Sequence, residues 1–150
     1  INHITEALKL DVIQLHGDED LNYIKKVRKF KKPIIKSISV NNYSDIEEAK
    51  KYEKFCDMIL FDTKTNADIS GGSGISFDWN LLKGYYSSVE WILAGGINIK
   101  NVSSAIKTTN AQFIDVSSGV EKSKGVKCEK KIKKFIKFVR NYECEKNKLL

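Results

Sequence analysis

The apolar residues of this chain follow two rhythms that alternate along its length. Met58 to Phe61 is a four-residue apolar run bounded by charge on both sides. It is too short for a helix and reads as a strand buried in a parallel sheet. Similar short runs at Val12 to Leu15, Ile34 to Ser39, Trp91 to Ala94 and Phe113 to Val116 predict four more strands. Between them the apolar positions recur with helical spacing: Leu21, Ile24, Val27 and Phe30; Ile46, Ala49 and Phe55; Val102, Ala105 and Ile106; Ile132, Phe135, Ile136 and Val139. Leu81 and Leu82 mark a shorter helical stretch.

Local punctuation supports this division. The acidic Asp18-Glu19-Asp20 complements the positive end of a helix starting there, and Pro33 marks where that helix has ended. Ser44 and Glu47 have the spacing of a capping box for the next helix. Ile1, Ile4 and Leu8 are spaced as though the chain begins inside a helix, so the expectation is a piece of a longer chain. Asn141 to Leu150 are polar and expected to fray.

Strand then helix, five times over, at intervals near the roughly 30 residues of a βα unit, predicts an α/β fold: part of a (βα)₈ barrel with parallel strands. Five units are present where closure takes eight, so residues 1–150 are expected to form one partial barrel domain without its first three units.

Composition narrows the function. With 41% hydrophobic and 30% charged residues, the 150-residue chain has an ordinary globular make-up. No apolar run approaches the roughly 20 residues of a membrane span, and no signal peptide is visible, so no membrane partner and a cytoplasmic location are expected. The three cysteines, Cys56, Cys128 and Cys144, are far apart and lack metal-ligand spacing, which argues for free thiols and against a metal site. The net charge of +7 is the charge of the segment from Glu121 to Arg140 alone. There the lysines form the outer face of an amphipathic helix with no aromatic residues interleaved, which speaks for a solvated face and against nucleic acid.

Candidate chemistry lies at the strand ends, which parallel strands gather on one rim. His16-Gly17, Asp62, Gly95-Gly96 and Ser117-Ser118-Gly119 each follow a strand. The last two groups follow the last two strands, where barrels hold a phosphate on backbone N–H groups; glycine lets the backbone approach and serine adds hydroxyl donors. Asp62, followed by a loop with Gly71, Gly72 and Gly74, is the candidate acid or base acting on a phosphorylated substrate. His16 is a second titratable candidate, with a packed histidine as the plain alternative. Asp115 either faces the barrel mouth or makes a structural hydrogen bond.

The segments DVIQLHGDED, ILFDTK, GGSGISFDW, ILAGGINIKNVSSAI and IDVSSGVEKSKGVK resemble, in order and spacing, the later strands of phosphoribosylanthranilate isomerase, a (βα)₈ barrel of tryptophan biosynthesis. The resemblance runs from about Leu10 to Arg140. It implies an Amadori rearrangement of N-(5-phosphoribosyl)anthranilate to the carboxyphenylamino-deoxyribulose phosphate, with no metal or organic cofactor. Asp62 matches the general acid that protonates the ribose ring oxygen. Gly95, Gly96, Ser117, Ser118 and Gly119 match the phosphate loops, and Asp115 matches a further acidic position of the active site.

The family's catalytic cysteine, in a K-I-C-G motif on its first strand, and its arginine for the anthranilate carboxylate have no counterpart here, so the chain by itself is expected to be inactive. Ile75 stands where a lysine is common, and Cys128-Glu129 where an acidic residue usually opens the last helix. The missing units are expected from an N-terminal segment or a fused tryptophan-pathway enzyme. Two other readings remain open. Another ribose-phosphate barrel, such as indole-glycerol-phosphate synthase, would need a lysine and glutamate pair at strand ends that is not found. A non-catalytic phosphate-binding module would keep the loops without the base.

Overall fold

Five short strands build the framework: β1 (Ile13–Leu15), β2 (Ile34–Val40), β3 (Met58–Thr63), β4 (Glu90–Leu93) and β5 (Phe113–Ile114). In the computed structural model, which describes residues 1–63 and 76–147, they form one parallel sheet in the order β1-β2-β3-β4-β5. Each strand lies beside its predecessor, so the sheet winds in one sense, as in a barrel rather than a doubly wound sheet. The architecture is α/β, an open arc of five βα units. Gly71, Gly72, Gly74 and Ile75 lie outside the described residues.

Register separates the two faces. Leu15, Lys36, Ile59 and Trp91 are paired neighbours, as are Ile38, Phe61, Leu93 and Ile114. Ile13, Leu15, Ile34, Val40, Ile59, Phe61 and Leu93 on this face are buried, covered by the helices α2 (Leu21–Arg28), α3 (Tyr43–Ala49), α4 (Val102–Thr109) and α5 (Glu129–Asn147), which follow α1 (Asn2–Ala7) in the chain. Phe61, fully buried, meets Tyr85 and Trp91 edge-on at ring separations of 5.1 and 5.9 Å. The opposite face carries Gln14, Ser39, Glu90 and Phe113 exposed and Ile35, Met58 and Ile92 half-buried. Ser37 and Leu60, at its centre, are buried. This is the concave side that barrel closure would fill.

The local reasons for the helices differ in places from those the sequence suggests. Asp20 caps α2, its side chain accepting from the Tyr23 N–H at 2.7 Å. The capping box of α3 is Asn42 with Asp45, not Ser44 with Glu47: Asn42 Oδ1 accepts from Ser44 N at 2.9 Å, and Asp45 accepts from Asn42 N at 3.0 Å. The Ser44 hydroxyl is taken up by Asn42. The stretch at Leu81 and Leu82 is a single 3₁₀ turn, Trp79–Leu82, capped by Asp78.

Further departures lie at the two ends. In α1 the Ile1, Ile4 and Leu8 stripe is exposed, and Thr5 is buried. Strand β5 is two residues long, and the segment before α5 folds into an unexpected hairpin of β6 (Glu121–Ser123) and β7 (Val126–Lys127). In α5 Phe135 is buried and Ile132 and Val139 pack on the core, but Ile136 faces out. That helix continues to Asn147, so residues expected to fray through position 147 are helical. Among the described residues no helix is long and apolar enough to cross a membrane.

Candidate active site

Asp62 is the next-to-last residue of β3, paired with Ser39 of β2 on the concave face. Backbone hydrogen bonds continue that row: Ala94 N donates to Phe61 O at 2.8 Å, and Asp115 N to Leu93 O at 2.9 Å. Ser39, Asp62, Ala94 and Asp115 therefore follow one another across the carboxyl-end rim. With strands about 4.8 Å apart, the two carboxylates are separated by roughly 10 Å at the backbone. Asp62 is half-buried, and its Oδ1 accepts from its neighbour Thr63 N at 2.7 Å. Its Oδ2 lies 4.0 Å from His16 Nε2. The second imidazole nitrogen is 3.3 Å from Gln14 Nε2.

The glycine turn after β4 closes directly on this carboxylate. Gly95 has φ +83°, and a Cβ there would sit 3.0 Å from Asp62 Oδ1 and 2.7 Å from Thr63 N, colliding with Thr63 Oγ1. Gly96 is also left-handed, at φ +64°. Two asparagines shape the turn around the Gly96 carbonyl: Asn98 Nδ2 and Asn101 Nδ2 donate to it at 3.1 and 3.0 Å, and Asn98 N donates to Asn101 Oδ1 at 2.8 Å.

The loop after β5 leans on the same turn. A Cβ at Gly119 would come within 2.9 Å of Asn98 Cα and collide with the Ile97 carbonyl, so the two loops touch through backbone. Ser118 and Gly119 open a 3₁₀ turn, Ser118–Val120. The Ser117 hydroxyl accepts from Lys127 Nζ at 2.8 Å, and the same ammonium donates to Glu121 Oε1 at 2.8 Å. Lys127 and the Gly125 N–H hold the Glu121 carboxyl below the usual carboxylate range.

The structure thus brings His16, Asp62 and Gly95-Gly96 together, seats Ser118-Gly119 against the turn, and leaves Asp115 exposed farther along the rim. Cys56 lies at the other end of the sheet, immediately before Asp57 and the start of β3. It is 3% exposed, and burial pushes its thiol up to about 11. A groove of about 850 Å³ flanks His16, lined by Gly17, Lys36, Ser39, Asp45 and Tyr52 among others; Asp62 and the glycine turns are not part of its lining. Among the described residues no three His, Cys, Asp or Glu side chains are grouped to hold a metal ion.

Sequence reasoning passed over Ser39, Asn98, Asn101, Lys127 and the Lys36–Glu19 pair. A lysine inside an otherwise apolar strand was the available signal for Lys36. The others are ordinary loop residues whose importance comes from what they face.

Comparison with known proteins gives one consistent answer. The family model for N-(5'-phosphoribosyl)anthranilate (PRA) isomerase matches residues 1–138. N-(5'-phosphoribosyl)anthranilate isomerase of Rhodospirillum rubrum is 40% identical over 137 residues, covering 89% of this chain and 63% of the relative. That of Beijerinckia indica is 42% identical over 137 residues, covering 89% and 62%. The chain therefore spans less than two thirds of the length of these curated relatives. The crystal structure of phosphoribosyl anthranilate isomerase from Thermotoga maritima superposes with a TM-score of 0.81 at 38% identity, over 93% of this chain and 66% of that one. A crystal structure of the isomerase in complex with reduced 1-(o-carboxyphenylamino)-1-deoxyribulose 5-phosphate superposes with a TM-score of 0.76 at 34% identity, over 93% and 64%. Fold, strand-end geometry and these matches agree: the chain belongs to the N-(5'-phosphoribosyl)anthranilate isomerase family.

Proposed function

We propose that this chain supplies the proton donor and the phosphate loops of a phosphoribosylanthranilate isomerase, and that strands from outside residues 1–150 complete its barrel and its active site. The reaction is the Amadori rearrangement of N-(5-phosphoribosyl)anthranilate. Asp62 gives its proton to the ribose ring oxygen, the bond from that oxygen to C1 breaks, and the nitrogen lone pair forms the C1=N Schiff base. Loss of the C2 proton to a base then gives the enolamine, which becomes the ketone. A phosphate held by backbone N–H groups at Gly95-Gly96 and Ser118-Gly119, with the Ser117 hydroxyl, would fix the other end of the sugar. Asp115 and His16 face the substrate from the flanks of Asp62.

The observation that carries this reading is the packing of Gly95 against the Asp62 carboxylate, with the second glycine loop stacked on the first. It puts a candidate acid and a candidate anion cradle within one sugar phosphate's reach. The same geometry argues that the base comes from elsewhere. Cys56 is on the wrong rim with a raised thiol, and the sheet has unpaired edges at β1 and β5 among the described residues.

The test is turnover of the fluorescent anthranilate substrate. The chain alone is expected to be inactive, and the chain joined to the N-terminal third of a relative is expected to turn over. In that completed barrel Asp62→Asn should reduce turnover by a factor on the order of 10² to 10⁴. A variant within twofold of its parent removes Asp62 from the role. A second reading, a phosphate-binding module without catalysis, is favoured by the missing base; ribose-phosphate binding with no turnover even in the completed barrel would establish it.

A further inference from the structure

Lys36 is a buried ion held chiefly by the loop that follows β1. Its side chain is 4% exposed, and it lies on the helix-covered side of β2. Its ammonium donates to the Gly17 carbonyl at 2.6 Å, to Glu19 Oε2 at 3.0 Å and to the Ser37 carbonyl at 3.0 Å, which uses all three N–H groups. Glu19 completes the grip from the other side, its two oxygens each accepting from Gly17 N–H at 3.1 Å. Burial alone would raise the Glu19 carboxyl, but Lys36 and the Gly17 N–H outweigh it and hold it below the usual range. Tyr52 lies alongside, its ring centroid 5.6 Å from Nζ.

One ion pair therefore clamps both polar groups of residue 17, and the fit is tight: a Cβ at Gly17 would stand 3.2 Å from Glu19 Oε1, so the carboxylate would have to give by a few tenths of an ångström. Packing alone gives no reason for a charge here, because an aliphatic side chain fills such a space without the desolvation cost. What the pair adds is a fixed loop directly after His16. In the tautomer that lets Gln14 Nε2 donate to His16 Nδ1, the imidazole N–H is on Nε2. That nitrogen is the one 4.0 Å from Asp62 Oδ2.

We propose that Lys36 and Glu19 are positioning residues whose task is to hold the His16 Nε2–H toward Asp62, so that the carboxylate left after proton donation meets a donor already in place. This rests on the reading of Asp62 as the proton donor. Neither Lys36 nor Glu19 touches substrate; both act through the Gly17 peptide.

The sequence has two histidines, so the imidazole resonances of His3 and His16 can be followed together, His3 serving as an internal control. In the parent chain Asp62→Asn should displace the His16 ring resonances and leave those of His3 in place. In the background of Lys36→Met, and separately of Glu19→Gln, the displacement caused by Asp62→Asn should fall by more than half. Glu19→Gln keeps the side-chain volume and removes one charge, so it reports even where Lys36→Met does not fold. Equal displacement in all backgrounds, or none in the parent, overturns the proposal. In the completed barrel Glu19→Gln should lower kcat about tenfold with KM within twofold, a change of about 1.4 kcal/mol in barrier. A parallel rise in KM would mark a merely structural role. If Asp62→Asn leaves turnover intact while the resonance cycle behaves as expected, the proton-donor reading fails and the clamp stands.

Discussion

Replacing Gly95 with alanine tests the contact on which the site depends, and the structure supplies its own control. Alanine at φ +83° takes on the left-handed penalty, about 1–2 kcal/mol. Its Cβ must also displace Thr63 Oγ1 and lie 2.7 Å from Thr63 N. Thr63 cannot simply turn away, because its Oγ1 accepts from Phe77 N at 3.1 Å, and Phe77 is buried. Forced overpacking of this kind costs about 1–3 kcal/mol, so Gly95→Ala should destabilise by roughly 2–5 kcal/mol. Gly84 has φ +72° with nothing within 4 Å of a Cβ, so Gly84→Ala bears the conformational penalty alone. The smaller entropy of the unfolded alanine chain, about 0.4–1 kcal/mol, applies to both and cancels in the comparison. Urea unfolding followed by tryptophan fluorescence should place the Gly95→Ala midpoint well below that of Gly84→Ala, at equal slopes and with a difference of at least about 1 kcal/mol. Equal midpoints would mean that the turn after β4 is not seated on Asp62-Thr63, and the reasoning about the site would fail with it.

Two further outcomes check parts of the molecule away from the site. Burial opposes ionisation of Glu53, but hydrogen bonds from Ser88 and Tyr85 outweigh it and hold its carboxyl at about 2, against 4.5 for a free side chain. Its folded value is depressed, so its stabilisation is complete above about pH 4.5 and is lost as pH falls toward 2; relative to Glu53→Gln, the parent should lose about 3 kcal/mol across that window in urea unfolding. A constant gap between the two proteins from pH 6 to pH 2.5 would refute the assignment. Cys56, buried with its thiol pushed up to about 11, should resist Ellman's reagent at pH 8 in the folded chain, so that Cys56→Ala leaves native labelling unchanged; rapid loss of a labelled thiol on that substitution would contradict the burial.

Much of this arrangement is written in neighbouring residues. The apolar run at Met58 to Phe61 and the stripes Leu21-Ile24-Val27 and Val102-Ala105-Ile106 each report a local period, and those periods yield the order of strands and helices, the parallel sheet and the strand ends at His16, Asp62, Gly95 and Ser117. Capping is local too, yet the helix starts at Asn42 and Asp45 and not at Ser44 and Glu47, because two overlapping S/N-x-x-D/E patterns compete and one helix start can use only one of them. The hairpin at Glu121–Lys127 escaped notice because a lysine-rich segment with little apolar alternation gives no strand period.

What sequence alone determined is therefore the succession of elements and the kind of residue at each strand's end, since both follow from periodicity and from side-chain chemistry within a few positions. Tertiary structure decided which of those residues meet. That Ser39 pairs with Asp62, that Gly95 closes on Thr63, and that Lys36 grips Gly17 and Glu19 from another strand depend on register and on the curvature of the sheet. Those contacts join positions 17 to 32 residues apart, where no local period reaches, and only the packing of one strand against the next fixes them.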